Sequence, residues 1–245
     1  MASSSRSDSF VEHFKLIEEL YAKTALGEEQ WYLIVLSVFT SLGKCDLVAD
    51  LYTYLVALPQ YSTPTERQDL MKRLREALVK ITSVIGVARP LEAIININNV
   101  TAPEDRDYSF SREDWKSGAE NVKRGEAWLR KLYSEHFDST MTIFDAQKDF
   151  GWISSEITYG LYLSDHRILD GVETELCVLS GLFCQGLPRM VGWHLRACRR
   201  IGLSSEDCEI IQQCIEASVE FLGVEIKGMP RVKDIEHEVG AVTAE

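Results

Sequence analysis

Apolar residues recur along nearly the whole chain at helical spacing, and each of the six prolines falls between, or at the start of, the segments so defined. Phe10, Phe14, Ile17, Leu20 and Tyr21 open the pattern behind Asp8 as cap, in a first helix ending near Gly27. The spacing predicts further helices over 28–43, 45–58, 64–85, 89–98, 112–135, 139–148, 153–163, 172–186, 188–201 and 205–222. No alternating strand pattern stands out except the ambiguous Ile94-Ile95-Asn96-Ile97-Asn98. A chain so patterned is all-α.

Composition limits what such a bundle can do. Of 245 residues, 45% are hydrophobic and 26% charged, enough for a substantial core in one large domain or two fused helical lobes. The net charge of −12 repels phosphate backbones and anionic headgroups, so neither nucleic acid nor membrane is an expected partner. Basic pairs such as Lys72-Arg73 and Arg199-Arg200 sit among acids and read as solvated helix faces. The longest apolar stretches, Trp31 to Leu42 and Leu176 to Cys184, fall short of the ~20 residues that span a bilayer. Six cysteines without a Cys-x-x-Cys, and no secretory leader ahead of them, point to reduced thiols in an intracellular, cytoplasmic protein.

The polar run from Asn98 to Arg112 divides the chain, and an internal repeat supports the division. Val35-Leu36-Ser37 lies on Val178-Leu179-Ser180, which brings Gly43 onto Gly186 and Val48 onto Val191 without a gap. After extra residues in the first copy, Thr65-Glu66 meets Ser205-Glu206 and Val84-Ile85-Gly86 meets Phe221-Leu222-Gly223. The expected organisation is a tail over 1–9, a first helical lobe over 10–100, a second over 101–225 and a C-terminal tail over 226–245.

Two residues break the apolar stripes of the second copy. Leu187, Met190, Val191, His194, Ala197, Cys198 and Ile201 share one helix face, whose single titratable imidazole is His194. On the preceding helix Val172, Glu175, Val178, Leu179 and Leu182 share a face, and Glu175 is the odd member. A buried carboxylate without a partner is costly, so the two groups are expected to meet as a proton-transfer pair. Their levels along the hairpin differ by ~6 Å at ~1.5 Å per residue, which tilt, side-chain length or a bridging water must close. His194 and Cys198, at i and i+4, are too few for a metal site, and no metal is expected. Asp165-His166-Arg167 reads as a solvated turn, and Cys177 with Cys184 as core packing.

The stretch from Arg124 to Gly223 resembles the carboxymuconolactone decarboxylase family. The resemblance rests on Arg124-Gly125-Glu126-Ala127-Trp128, His166-Arg167-Ile168-Leu169-Asp170, Glu173-Thr174-Glu175-Leu176, His194-Leu195-Arg196-Ala197 and Gly202-Leu203-Ser204-Ser205-Glu206. It implies the alkylhydroperoxidase-D-like helical fold, a homo-oligomer and a proton relay through Glu175 and His194. The redox branch of that family carries Cys-x-x-Cys ahead of the histidine, where this chain has Leu187 and Met190. In the first copy Tyr32 stands at the position of Glu175 and Leu51 at that of His194, so that half reads as structural.

The resulting expectation is a cofactor-free lyase, isomerase or hydrolase acting on a small lactone, keto acid or related carbonyl compound. His194 would be its general acid or base, Glu175 its orienting carboxylate, and Leu187, Met190 and Cys198 apolar pocket walls. The rival readings are a thiol peroxidase using Cys184 or Cys198, and a non-catalytic oligomeric scaffold.

Overall fold

The computed structural model describes residues 2–114 and 116–240. Its helices are α1 (Ala2–Tyr21), α2 (Trp31–Ser41), α3 (Leu47–Val56), α4 (Pro64–Ile85), α5 (Ala88–Val100), α6 (Ala119–Tyr133), α7 (Phe137–Met141), α8 (Lys148–Trp152), α9 (Gly171–Cys184), α10 (Pro188–Arg200), α11 (Ser205–Phe221) and α12 (Val232–Ile235). A π-helical segment, Ile153–Leu163, follows α8 directly. Among the described residues there is no strand, and the ambiguous Ile94–Asn98 run is helical.

Two helices with almost no polar face organise the rest. Every residue of α2 is buried, and α9 is buried from Glu173 to Phe183. Helices apolar all round must be enclosed. They pack on each other, α4 lies against α9, α11 against α2, and α1 covers α11. Gly181 permits the close approach of α4, since a Cβ there would stand 3.1 Å from Val84 Cγ1. The halves on either side of 98–112 therefore share one continuous core. The dividing run itself is pinned to α4, where Asp105 forms an ion pair with Arg67 at 2.8 Å and Asp107 pairs with Arg75.

Corresponding turns match in conformation. Gly43 and Gly186 both take positive φ (73° and 65°), as do Gly86 and Gly223 (81° and 69°), a region open to glycine at little cost. The third helix of each half starts from a capping box, Thr63 with Glu66 for α4 and Ser204 with Asp207 for α11.

The structure departs from the sequence reading at both ends and at its charges. Helix α1 already begins at Ala2, inside the stretch read as a tail. The C-terminal stretch is no tail either. Val232, Ile235 and Val239 are buried, and the segment packs on α10 and α11. Three apolar residues in eight are too short a pattern to register as periodicity. The expected helix over 139–148 is broken into α7, a 3₁₀ turn and the start of α8.

Of the turn read as solvated, Asp165 is inside, and so is Lys80, for which the sequence offered no reading. Asp165 is buried under Arg167 (2.9 Å) and Arg112 (3.7 Å), whereas its neighbours His166 and Arg167 are exposed. Lys80 is fully buried, and burial pushes its ammonium down to about 8. It donates to the carbonyls of Tyr162 (3.1 Å) and Leu163 (3.3 Å), while Arg124 donates to that of Gly160 (3.0 Å). Cations thus satisfy the carbonyl end of the π segment, where the helix dipole favours them. Arg73 spans the halves, bonding Tyr32 Oη (2.7 Å) and pairing with Glu173. No helix among the described residues is long and apolar enough to cross a membrane.

His13 lies in the aromatic seam between α1 and its neighbours, stacked on Phe221 at 4.1 Å and 4°. Its Nε2 is sealed without a partner, and burial pushes the imidazole down to about 4 from its usual 6.5. The folded chain therefore refuses a proton that the unfolded chain accepts, and stability should fall as pH drops from 6.5 toward 4, with no further loss from this group below that. His13→Phe should remove this component, worth about 3 kcal/mol for the full interval. Urea denaturation of both proteins at pH 7 and pH 4 measures it as the difference between their two pH dependences.

Candidate functional site

Glu175 is placed by the start of α9. Asp170 caps the helix, accepting from the Glu173 backbone N–H at 2.8 Å, while the Glu173 carboxylate accepts from the Asp170 N–H at 2.9 Å. One turn further in, Glu175 faces α10 with none of its surface exposed. The Gly186 turn and Pro188 at the first position of α10 reverse the chain, and the apolar stripe of α10 then presents His194 to α9.

The two side chains meet directly, His194 Nδ1 lying 2.6 Å from Glu175 Oε2. The axial offset computed from sequence is thus closed by the side chains themselves. The other carboxylate oxygen, Oε1, is sealed from solvent with no partner. His194 is 7% exposed, and its Nε2 has no hydrogen-bond partner yet is not among the sealed polar atoms. With Glu175 ionised, Nδ1–H donates to Oε2 and the imidazole lone pair sits on Nε2, the nitrogen left open. Such a couple can take a proton at Nε2 while the carboxylate stabilises the imidazolium formed.

Two tyrosines complete the surroundings: Tyr133, which the sequence did not single out, and Tyr159, which with Trp152 and Tyr162 reads from sequence as a pocket-lining aromatic or, by default, core. Tyr159, on the π segment, and Tyr133, at the end of α6, stand close enough for each phenol to act on the other's ionisation. Burial pushes the Tyr133 phenol up to about 12 and holds that of Tyr159 well above its usual value, with Glu175 adding to both. They stay neutral hydroxyls at physiological pH. The π segment can approach α6 because Gly125 and Gly160 face each other. A Cβ on Gly125 would lie 2.7 Å from Gly160 N and 2.8 Å from Ser155 O. Only the pairing of Gly125 with an aromatic run could have flagged this, and one sequence offers no partner for it.

Tyr133 also lines a cleft of about 510 Å³ between α6, α7, α10 and the C-terminal segment. Trp193 packs edge-on to Tyr133 (6.0 Å, 83°), and Arg196 and Arg200 form the cationic side. Glu175 and His194 themselves do not line it. Nor do the expected wall residues. Leu187 is 39% exposed at the head of α10, Met190 packs half-buried against the core, and Cys198 is buried toward Cys208. Met190 and Cys198 lie on the face of α10 that includes His194 and are taken up by packing, whereas Leu187 at the head of that stripe faces solvent.

The thiols are poor nucleophiles. The Cys208 thiol and burial push Cys198 up, burial with the nearby Glu173 and Glu76 carboxylates pushes Cys177 up to about 12, and burial pushes Cys184 up to about 12. Among the described residues no three His, Cys, Asp or Glu side chains are grouped to hold a metal ion. No family model, curated protein or solved structure matches this chain.

Gly125→Ala should force α6 and the π segment apart, because all three atoms nearest the added methyl are backbone. The expected loss is about 1–3 kcal/mol by urea denaturation, the range for overpacking. A change in the near-ultraviolet circular dichroism of the Tyr133–Tyr159 region should accompany it. An unaltered midpoint would show that the two helices are not held by this contact.

Proposed function

We propose that this chain is a cofactor-free acid–base enzyme acting on a small lactone, β-keto acid or related carbonyl compound, with the fold and relay of the carboxymuconolactone decarboxylase type. The observation that carries the reading is the direct Glu175–His194 contact at 2.6 Å, buried on the carboxylate side and open at Nε2. A purely structural hydrogen bond would more economically satisfy both carboxylate oxygens, whereas Oε1 here has no partner.

In the reaction so proposed, His194 Nε2 takes a proton from carbon or water, or returns one to a developing enolate. Glu175 holds the ring through Nδ1 and offsets the positive charge that forms. No metal or redox group is called upon. The matched turn conformations at Gly43 and Gly186, and at Gly86 and Gly223, support an origin of the two halves by duplication. Tyr32 would then mark the half that lost its carboxylate, and Arg73 bonds its hydroxyl to tie that half to Glu173.

The thiol peroxidase reading has one observation in its favour, the contact between Cys198 and Cys208 close to Glu175. It is weakened because Cys198 is buried and its thiol is held well above its usual value, which disfavours the thiolate that would attack a peroxide.

The same reading makes the protein a homo-oligomer in an intracellular compartment. Exposed Val87, Leu91 and Ile95 on α5 supply apolar surface for self-association. Sedimentation velocity at micromolar concentration should show a species larger than one chain.

The decisive measurement is turnover by His194→Ala and Glu175→Gln against a panel of lactones and β-keto acids. Loss of a general acid or base should lower kcat by at least ~100-fold in the first variant, with KM little changed. If instead turnover persists and stability falls by about 1–3 kcal/mol, the couple is a structural hydrogen bond and the enzymatic reading fails.

A further inference from the structure

The C-terminal segment does more than cover α10. It supplies partners to three arginines of α10: Arg199 pairs with Glu236 at 2.7 Å, Arg196 Nη1 with Glu238 Oε2 at 2.7 Å, and Arg200 donates to the carbonyls of Val239 (3.1 Å) and Glu238 (2.9 Å), as well as to that of Leu132 on α6 (3.0 Å). These contacts differ in how firmly they are held. Arg200 is locked into three main-chain acceptors. Arg196 has one carboxylate partner, and that partner is 49% exposed. An ion pair with one end in solvent contributes little net stability and exchanges readily.

Arg196 and Glu238 both line the 510 Å³ cleft, facing an aromatic side made by Tyr133 and Trp193, with Ile143 uncovered at 57% exposure. The volume falls within the range of about 300–1,000 Å³ typical of small-molecule sites. The cleft therefore presents two perpendicular aromatic rings next to a guanidinium whose present occupant is a carboxylate from the chain's own C-terminal segment. His136 and His237 stand at its edge.

We propose that this cleft is a binding site for an aromatic carboxylate, whose ring lies against Trp193 and Tyr133 and whose carboxylate takes the place of Glu238 on Arg196. Ring stacking and a charge-assisted hydrogen bond are together worth more than the exposed internal pair they replace. Glu238 is then a built-in competitor, so the chain binds this ligand only when its C-terminal contact yields. Binding is read without turnover, and His194 does not line the cleft, so the site stands or falls separately from the proposed reaction.

The test is titration with 2-naphthoate, and with the uncharged 2-naphthamide, followed by calorimetry and by the Trp193 indole N–H resonance, assigned with Trp193→Phe. Wild type should bind the acid with a shift of that resonance and bind the amide at least ~10-fold more weakly, the charge-assisted contact being lost. Glu238→Gln removes the competitor and should tighten the acid ~5-fold or more, because the competent state is no longer shared. Arg196→Gln should weaken it ~10-fold or more. His194→Ala should leave binding unchanged. Equal affinity for acid and amide, no gain in Glu238→Gln, or binding without a Trp193 shift would each overturn the proposal. Glu238 is a surface residue, so the gain expected from its substitution does not depend on a variant that fails to fold.

Discussion

Two helices that lack a polar face, α2 and α9, have to be enclosed on every side, and the remaining elements are arranged by that requirement. Burying a Leu-sized side chain is worth about 1.5–3 kcal/mol, and the two helices bury such side chains along most of their length. The consequence is that α1, α4, α10 and α11 are distributed around this pair irrespective of which half of the sequence they come from. A chain with two similar halves thus becomes one body with one core.

Against that background the polar groups carried into the interior stand out by their expense. Glu175, Lys80, Glu76 and Asp165 are all buried, yet three of them are in a network that satisfies them: Lys80 on main-chain carbonyls, Glu76 on both guanidinium nitrogens of Arg112 (2.7 and 2.8 Å), Asp165 on Arg167. Such groups do structural service by fixing the π segment and the loop behind it. Glu175 differs because half of its carboxylate is left without a partner. Among these four groups it alone keeps an oxygen without a partner while its other oxygen meets an imidazole, and the functional reading is centred there and not on the larger charge network.

Much of this was legible in the sequence. The apolar stripes of α9 and α10 each had one titratable interruption, and 3.6-residue geometry was sufficient to place Glu175 and His194 on facing surfaces. Pro64, Pro188 and the glycines at 43, 86, 186 and 223 bounded helices where they were expected to. By contrast, Tyr133 carried no signal as a site residue, and Tyr159 was one of three aromatics, with Trp152 and Tyr162, open to a pocket-lining reading but placed by default in the core. Tyr133 and Tyr159 come from α6 and from a π-helical segment, whose register does not follow the α-helical period, and nothing local couples them to Glu175. Leu187 and Met190 were placed in a pocket because they share a stripe with His194, but a stripe says which face is covered and not whether a neighbour or a cavity covers it.

Local physical chemistry therefore determined the helical class, the turn positions and the pair of groups that must find each other, because periodicity, capping and the cost of a buried charge act within a few residues. Only the tertiary structure decided where open space remains, which cations are buried and which are held at the surface, and that the last residues close over α10. Those outcomes depend on contacts between residues tens to more than a hundred positions apart, such as Arg73 with Glu173 and Arg196 with Glu238. No pattern in one stretch of chain encodes which distant stretch will arrive beside it.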